Sequence, residues 1–191
     1  MKRIIFATNN AHKLDEVRAI LGDDIELITL KEAGITEDIP ENEPTIEGNA
    51  LAKARYVWQK TGCDCFADDT GLEVDALGGA PGVHSARYAT DGHDFAANRT
   101  KLLREMEGKT ERTARFRTVI ALIEGGVEHC FEGIVEGTIT TSERGEGGFG
   151  YDCLFTPEGY TQTFAEIAPE EKNAISHRGR AVAKLAAWFR Q

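Results

Sequence analysis

Thr8-Asn9-Asn10-Ala11-His12-Lys13 follows an apolar run and precedes an apolar-periodic one, which puts it at a strand-to-helix turn. The first turn of a helix exposes unpaired backbone N–H groups and the positive end of the macrodipole, a ready anion site. Cations at His12 and Lys13 oppose that dipole by about 0.3–1 kcal/mol, and a bound phosphate would reverse the sign. On spacing alone, Lys13 reads equally well as a phosphate contact or as a solvated lysine. Asn9 and Asn10 read as ligands or as turn and cap residues. Acids come next: Glu41 and Glu43 precede a helical pattern, and Asp68-Asp69 ends a strand-like one. Mg2+ takes oxygen ligands, usually one or two carboxylates together with substrate phosphates. Adjacent strand residues point to opposite faces, so only one of Asp68 and Asp69 is expected to join Glu41 at a metal. The alternative for these acids is an exposed rim. Lys53, taken by itself, reads as a solvated helix-surface lysine. Lys172, His177 and Arg178 cluster ahead of the last helix, with Ser176 as a candidate cap, a setting that suits an anionic or carbonyl-bearing ligand.

Other chemistries are excluded by context. Gly145-Glu146-Gly147-Gly148-Phe149-Gly150 matches GxGxxG in letters, but the following Tyr151-Asp152-Cys153-Leu154-Phe155 reads as extended. The dinucleotide fingerprint needs a strand before it and a helix after it. No Walker A, GxSxG or HExxH sequence occurs. The four cysteines, Cys63, Cys65, Cys130 and Cys153, form no CxxC pair and no zinc set, and are expected to be free cytosolic thiols.

Alternating helix and strand patterns must position these groups. Residues 3–8 read as a buried strand. A helix follows over 11–21, with Leu14, Val17, Ile20 and Leu21 on one face and Gly22 ending it. Ile25 to Leu30 is a second strand, and 36–44, with Pro40 and Pro44, is a loop. Thr45 caps a helix to Lys60 that turns Ala50, Leu51, Ala54, Val57 and Trp58 inward, with Gly62 closing it. Cys63–Asp68 is a strand, Leu72-Glu73-Val74 a short extended piece, and 78–82 a tight glycine loop. A helix is expected over 93–107. Long strands over 112–124 and 127–139 meet at Gly125-Gly126, a hairpin signal. A last helix over 178–190 places Val182, Leu185, Ala186 and Phe189 at i, i+3, i+4 and i+7. Helix-linked strands plus a hairpin predict an α/β fold on a mixed sheet.

The chain has 191 residues, 41% hydrophobic and 28% charged, enough for one domain or two packed lobes with a real core. Its formal net charge of −10 argues against general nucleic-acid binding, which depends on clustered Lys and Arg. A single anionic small molecule remains compatible, because a local pocket of cations can act inside an acidic protein. No signal-peptide pattern and no apolar run of about 18 residues occurs, so no membrane association is expected and a soluble, cytoplasmic protein is.

Taken together, these segments carry a resemblance. Thr8 to Lys13, Glu41, Glu47-Gly48-Asn49-Ala50-x-x-Lys53-Ala54, Ala67-Asp68-Asp69-Thr70-Gly71-Leu72, Leu77 to Gly82, Phe149-Gly150-Tyr151-Asp152 and Glu171 to Arg178 occur in that order. In this the chain resembles the inosine triphosphate pyrophosphatase family over essentially its full length, with Thr70 where the family often has Ser. The resemblance implies one ITPase-like domain over residues 1–191, two-lobed, with a long bent mixed β-sheet flanked by helices and a central nucleotide cleft. It implies Mg2+-dependent hydrolysis of dITP, ITP and XTP to the monophosphate and pyrophosphate, by water attack at the α-phosphate, in a homodimer. Carried over, Thr8, Asn9, Asn10, Ala11, His12, Lys13 and Lys53 would hold the triphosphate. Glu41 and Asp69 would hold the metal, and Asp69 would also accept the proton of the attacking water. Thr70 would contact substrate, Phe149 would stack on the base, and Gly150, Tyr151 and Asp152 would complete that wall. Lys172, His177 and Arg178 would read the base edge. A related pyrophosphatase for modified pyrimidines or methylated bases and a non-catalytic nucleotide sensor are the competing functions. His177-Arg178 argues against the first, and two retained metal carboxylates argue against the second.

Overall fold

Three consecutive apolar residues, Ile4, Ile5 and Phe6, are all buried in β1 (Lys2–Phe6), as a strand covered on both faces requires. In the computed structural model, which describes residues 1–191, β1 lies between β2 (Ile25–Ile28) and β3 (Cys65–Val74) and runs parallel to both. Parallel neighbours need crossovers. Helix α1 (Ala11–Leu21) supplies the one from β1 to β2, and α2 (Ile46–Thr61) leads to β3. Helix α3 (Phe95–Glu105) precedes β4 (Thr113–Glu124), which turns into β5 (Val127–Ile139) through Gly125 and Gly126. Both glycines have positive φ, the geometry of a type I′ hairpin turn. The short β6 (Phe155–Pro157) pairs antiparallel with β5. Strand order is β2-β1-β3-β4-β5-β6, a mixed six-stranded sheet, and α4 (Pro169–Ile175) and α5 (His177–Phe189) complete the chain.

Local chemistry sets the helix ends. Asn10, Thr45 and Asp94 each accept the backbone N–H three residues on, from Lys13, Gly48 and Ala97. Gly62 closes α2 in the left-handed conformation.

Two compact units result. The first comprises Met1–Asp69, Thr118–Gly133 and Arg178–Gln191. Its core gathers Ile4, Phe6, Val17, Leu21, Phe66, Ile120, Leu122, Val182 and Leu185, with Phe6 stacked on Phe66 at 4.5 Å. The second comprises Thr70–Arg117 and Ile134–His177. Its core holds Leu72, Val74, Leu102, Met106, Phe116, Leu154, Phe155 and Phe164, with Phe116 edge-on to Phe155 at 4.7 Å. The boundary falls between Asp69 and Thr70, within β3.

Three expectations are corrected, and one helix is added. Asp68 to Val74 is not a strand end followed by a separate piece; β3 runs unbroken for ten residues, since Gly71 and Leu72 are buried and buried backbone must pair. Tyr151 to Phe155 is not extended. Asp152–Leu154 forms a 3-10 turn, and only Phe155–Pro157 is strand. The Asp152 carboxylate accepts the Phe149 N–H at 3.0 Å, and that local bond curls the backbone. Helix α4 lies where the apolar pattern shows no helix, although Pro169 at its first turn and Glu170-Glu171 behind it are helix-start signals. Lys53 is not solvated: it is 6% exposed.

A Cβ at Gly137 would lie 2.3 Å from the Thr156 carbonyl oxygen and 2.6 Å from the Phe155 ring. Gly137→Ala should therefore destabilise the protein by about 1–3 kcal/mol through overpacking. The check is a lowered urea midpoint; an unchanged one would mean that β6 yields freely.

Candidate functional site

In the first unit, the turn from β1 to α1 is built by its own side chains. The Asn10 N–H donates to the Thr8 hydroxyl at 3.1 Å, and the Asn10 side-chain carbonyl accepts the Lys13 N–H at 3.2 Å. Asn9, Ala11 and His12 are exposed along this turn. The Lys13 ammonium reaches Asp68 Oδ1 on β3 at 3.1 Å. Asp68 Oδ2 accepts from Arg178 Nε at 3.4 Å, and Arg178 Nη1 also pairs with Glu16, which lies three residues beyond Lys13 on α1. Two cations from different elements thus flank one carboxylate. Burial works against ionising Asp68, but Lys13, Arg178 and Lys53 outweigh it and hold the carboxyl well below the usual range. Burial in turn lowers the Lys13 ammonium from its ordinary value, and the attraction of Asp68 restores only part of the loss.

Asp69 faces the other way, as the alternation of a strand requires. Asn49 Nδ2 donates to its Oδ2 at 3.4 Å, and the Lys53 ammonium stands 3.9 Å from its Oδ1. Lys53 also bonds Glu41 Oε1 at 2.9 Å and the Asp68 main-chain carbonyl at 2.5 Å. Burial penalises its charge, yet Glu41, Asp68 and Asp69 keep that ammonium above its ordinary value. Asp69 is pushed up to about 6: burial is the main cause, the negative Glu41 and Asp68 add to it, and Lys53 and Lys13 oppose it without cancelling it. A carboxylate with that affinity for protons can act as a base near neutral pH. Glu41 and Asp69 converge on a single cationic group, the Lys53 ammonium. No cluster of three or more His, Cys, Asp or Glu is present. Two carboxylates are the kind of hard oxygen donor that a divalent cation takes together with phosphate oxygens. The residues fit such an ion.

In the second unit the chemistry is aromatic and amide-like. The Asp152 carboxylate accepts from Phe149 N and, at 2.7 Å, from the buried Lys172 ammonium. That ammonium lies 5.3 Å from the Phe149 ring centroid, within cation–π range. Arg99 donates to the Gly150 carbonyl at 3.1 Å, and Phe95 abuts Phe149 at 6.3 Å. The Tyr151 hydroxyl donates to the Ser85 carbonyl at 2.6 Å, and burial pushes its phenol above the ordinary value. His177 is buried and stacks on Phe116 at 4.6 Å. Thr70 is half-buried at the start of this unit.

Of the residues singled out from the sequence, Lys13, Glu41, Lys53, Asp69 and Arg178 gather in the first unit and Phe149 to Asp152, Lys172 and His177 in the second. Arg178 pairs with acids next to Lys13, and sequence neighbours His177 and Arg178 belong to different units. Sequence reasoning missed Glu16, Asn49 and the hub role of Asp68. A polar Asn directly after Gly inside a helix was a signal for Asn49; the others gave none.

A sequence profile of the Ham1 family matches residues 4–188. The chain is 56% identical over 186 residues to a protein of Porphyromonas gingivalis named dITP/XTP pyrophosphatase, covering 97% of this chain and 96% of that one. Among solved structures, a HAM1 protein from Coxiella burnetii superimposes with a TM-score of 0.92 at 39% identity, covering 100% of this chain and 99% of that one. A nucleoside-triphosphatase / dITP/XTP pyrophosphatase from Mycobacterium abscessus gives 0.80 at 43% identity, with 96% and 98% covered.

The raised Asp69 carboxyl has a consequence for stability. Its folded value of about 6 exceeds the unfolded one, so its contribution is fully present below about pH 4 and is lost as pH rises through 6. In metal-free protein, the stability of Asp69→Asn relative to the wild type should rise across that window, by on the order of 1–3 kcal/mol between pH 4 and pH 7–8. Urea unfolding in chelator at a series of pH values measures it; a difference flat with pH would contradict the assigned environment.

Proposed function

The chain belongs to the Ham1 family, and on that premise we propose that it hydrolyses noncanonical purine nucleoside triphosphates, dITP, ITP and XTP, to the monophosphate and pyrophosphate. The observation that carries this reading is the geometry at Asp69: a buried carboxylate held by Asn49 and set beside Glu41 and the Lys53 ammonium. Lys13 and Lys53 offer cations to the triphosphate, and the Thr8–His12 turn offers helix-start N–H groups. Cations on the departing pyrophosphate stabilise charge that grows in the transition state. Asp69 accepts the proton of the water that attacks the α-phosphate. Glu41 and Asp69 would hold a divalent ion, taken to be Mg2+, which supplies Lewis acidity toward phosphate oxygens when bound.

On the base, Phe149 stacks, with Gly150, Tyr151 and Asp152 beside it, Thr70 contacts substrate, and Lys172, His177 and Arg178 read the edge. Hypoxanthine and xanthine present an acceptor oxygen at position 6, where adenine presents an amine. The Arg178 guanidinium is held by Asp68 and Glu16, so it is a donor of fixed orientation, unable to turn away from a mismatched amine. Polar groups left unpaired in this way discriminate steeply, on the order of 10⁴–10⁵ in favourable sites. The family resemblance also supports a cytoplasmic homodimer and one ITPase-like domain; no helix is long and apolar enough to cross a membrane.

Pyrophosphate release from ITP, dITP and XTP with Mg2+, and little from ATP or GTP, is the expected result; no product from any of them would favour a sensor. Asp69→Asn should still bind nucleotide yet lose at least about 10²-fold in kcat, the usual scale for a lost general base. Near-normal turnover would remove Asp69 from the mechanism. Arg178→Ala should lower the ITP-over-ATP ratio of kcat/KM, and an unchanged ratio would show that Arg178 serves only Asp68.

A further inference from the structure

Asn49 is a weak helix former placed inside a helix, and it follows Gly48, a weaker one. Two such residues in the opening turns of α2 mark a place where helix propensity yields to something else. We propose that Asn49 is a positioning residue that sets the Glu41 segment and Asp69 in register for the divalent cation, an inference that rests on the function proposed above. Its side chain is buried, the residue being 2% exposed. Its Oδ1 accepts the Glu43 backbone N–H at 2.9 Å, and its Nδ2 donates to Asp69 Oδ2 at 3.4 Å. One planar amide therefore ties the loop that carries Glu41 to the strand that carries Asp69. Only one orientation of the amide satisfies both partners, since the N–H needs an acceptor and the carboxylate needs a donor.

Gly48 supplies the room. A Cβ there would lie 2.9 Å from Glu43 Cβ and 2.9 Å from Thr45 Oγ1, so the loop can lie against α2 only where the side chain is missing. Lys53, four residues beyond Asn49 and on the same helix face, bonds Glu41 and attracts Asp69. The Lys53 charge draws the two carboxylates together without direction, whereas the Asn49 amide fixes their orientation. With Asp69 Oδ2 engaged by Asn49, Oδ1 is the oxygen turned toward Lys53. The Glu41 loop is anchored through backbone at Glu43, which leaves less to the flexible glutamate stem. Partners that orient metal-holding side chains typically matter 10–100-fold in metal affinity or activity.

Asn49→Ala removes the amide, and Gly48→Ala keeps it but pushes the loop off the helix while favouring helix formation. Both should melt cooperatively and bind Mn2+ about tenfold more weakly in the nucleotide-free protein, read from the electron paramagnetic resonance of free Mn2+. In turnover, kcat on ITP should fall about 10–100-fold with nucleotide KM within about threefold, and half-saturating Mg2+ should rise. Wild-type Mn2+ affinity and kcat in folded Asn49→Ala, with only a lowered melting temperature, would overturn the inference in favour of a structural role. If wild-type protein releases no pyrophosphate from ITP, the proposed function fails, while the Mn2+ comparison still decides the part played by Asn49.

Discussion

Asp68 and Asp69 are buried side by side on β3, and an ionised carboxylate taken out of water is tolerable only when cations and donors surround it. The alternation of the strand sends the two side chains to opposite faces, so two separate sets of partners are required. Lys13 of α1 and Arg178 of α5 serve Asp68. Asn49 and Lys53 of α2 serve Asp69, and Lys53 also recruits Glu41 from the preceding loop. The approach of α1, α2 and the start of α5 to β3 is in this sense a response to buried charge as much as to apolar burial.

The two solutions differ in quality, and the difference is chemical. Asp68 is over-compensated and stays ionised. Asp69 is under-compensated, because burial is the main penalty on its charge, Glu41 adds repulsion, and its cation is shared, so it keeps an affinity for protons near neutral pH. A site optimised for stability would not leave a carboxylate in that state. One arranged to receive a divalent cation would, since the ion meets carboxylates already oriented and short of positive charge.

The second unit shows the contrasting design. Its acid and base, Asp152 and Lys172, are paired with each other at 2.7 Å, so little charge is left over. Rigidity comes from backbone-directed bonds. Tyr151 reaches the Ser85 carbonyl, Ser85 accepts the Leu72 N–H, and Asn98 donates to the Ala86 carbonyl. A wall fixed in this manner suits the recognition of an uncharged planar ring, where selectivity depends on donors that cannot rearrange to suit a mismatched partner.

What could be read from the chain alone was whatever short-range chemistry decides. Asn10, Thr45 and Gly62 mark helix ends because capping involves residues three or four apart, and Gly125-Gly126 marks the hairpin because glycine readily takes the positive φ of a tight two-residue turn. The divergence of Asp68 and Asp69 followed from the twofold period of a strand. Tertiary structure alone decided the fate of Lys53, a surface lysine by its helix position, whose burial depends on three acids at positions 41, 68 and 69. It alone joined Arg178 to Asp68 across 110 residues, continued β3 through Gly71, and showed that Asn49 holds a loop and a strand at once. Electrostatic partners and buried backbone are matched across the fold, and no local spacing rule encodes a distance between residues that only folding brings together.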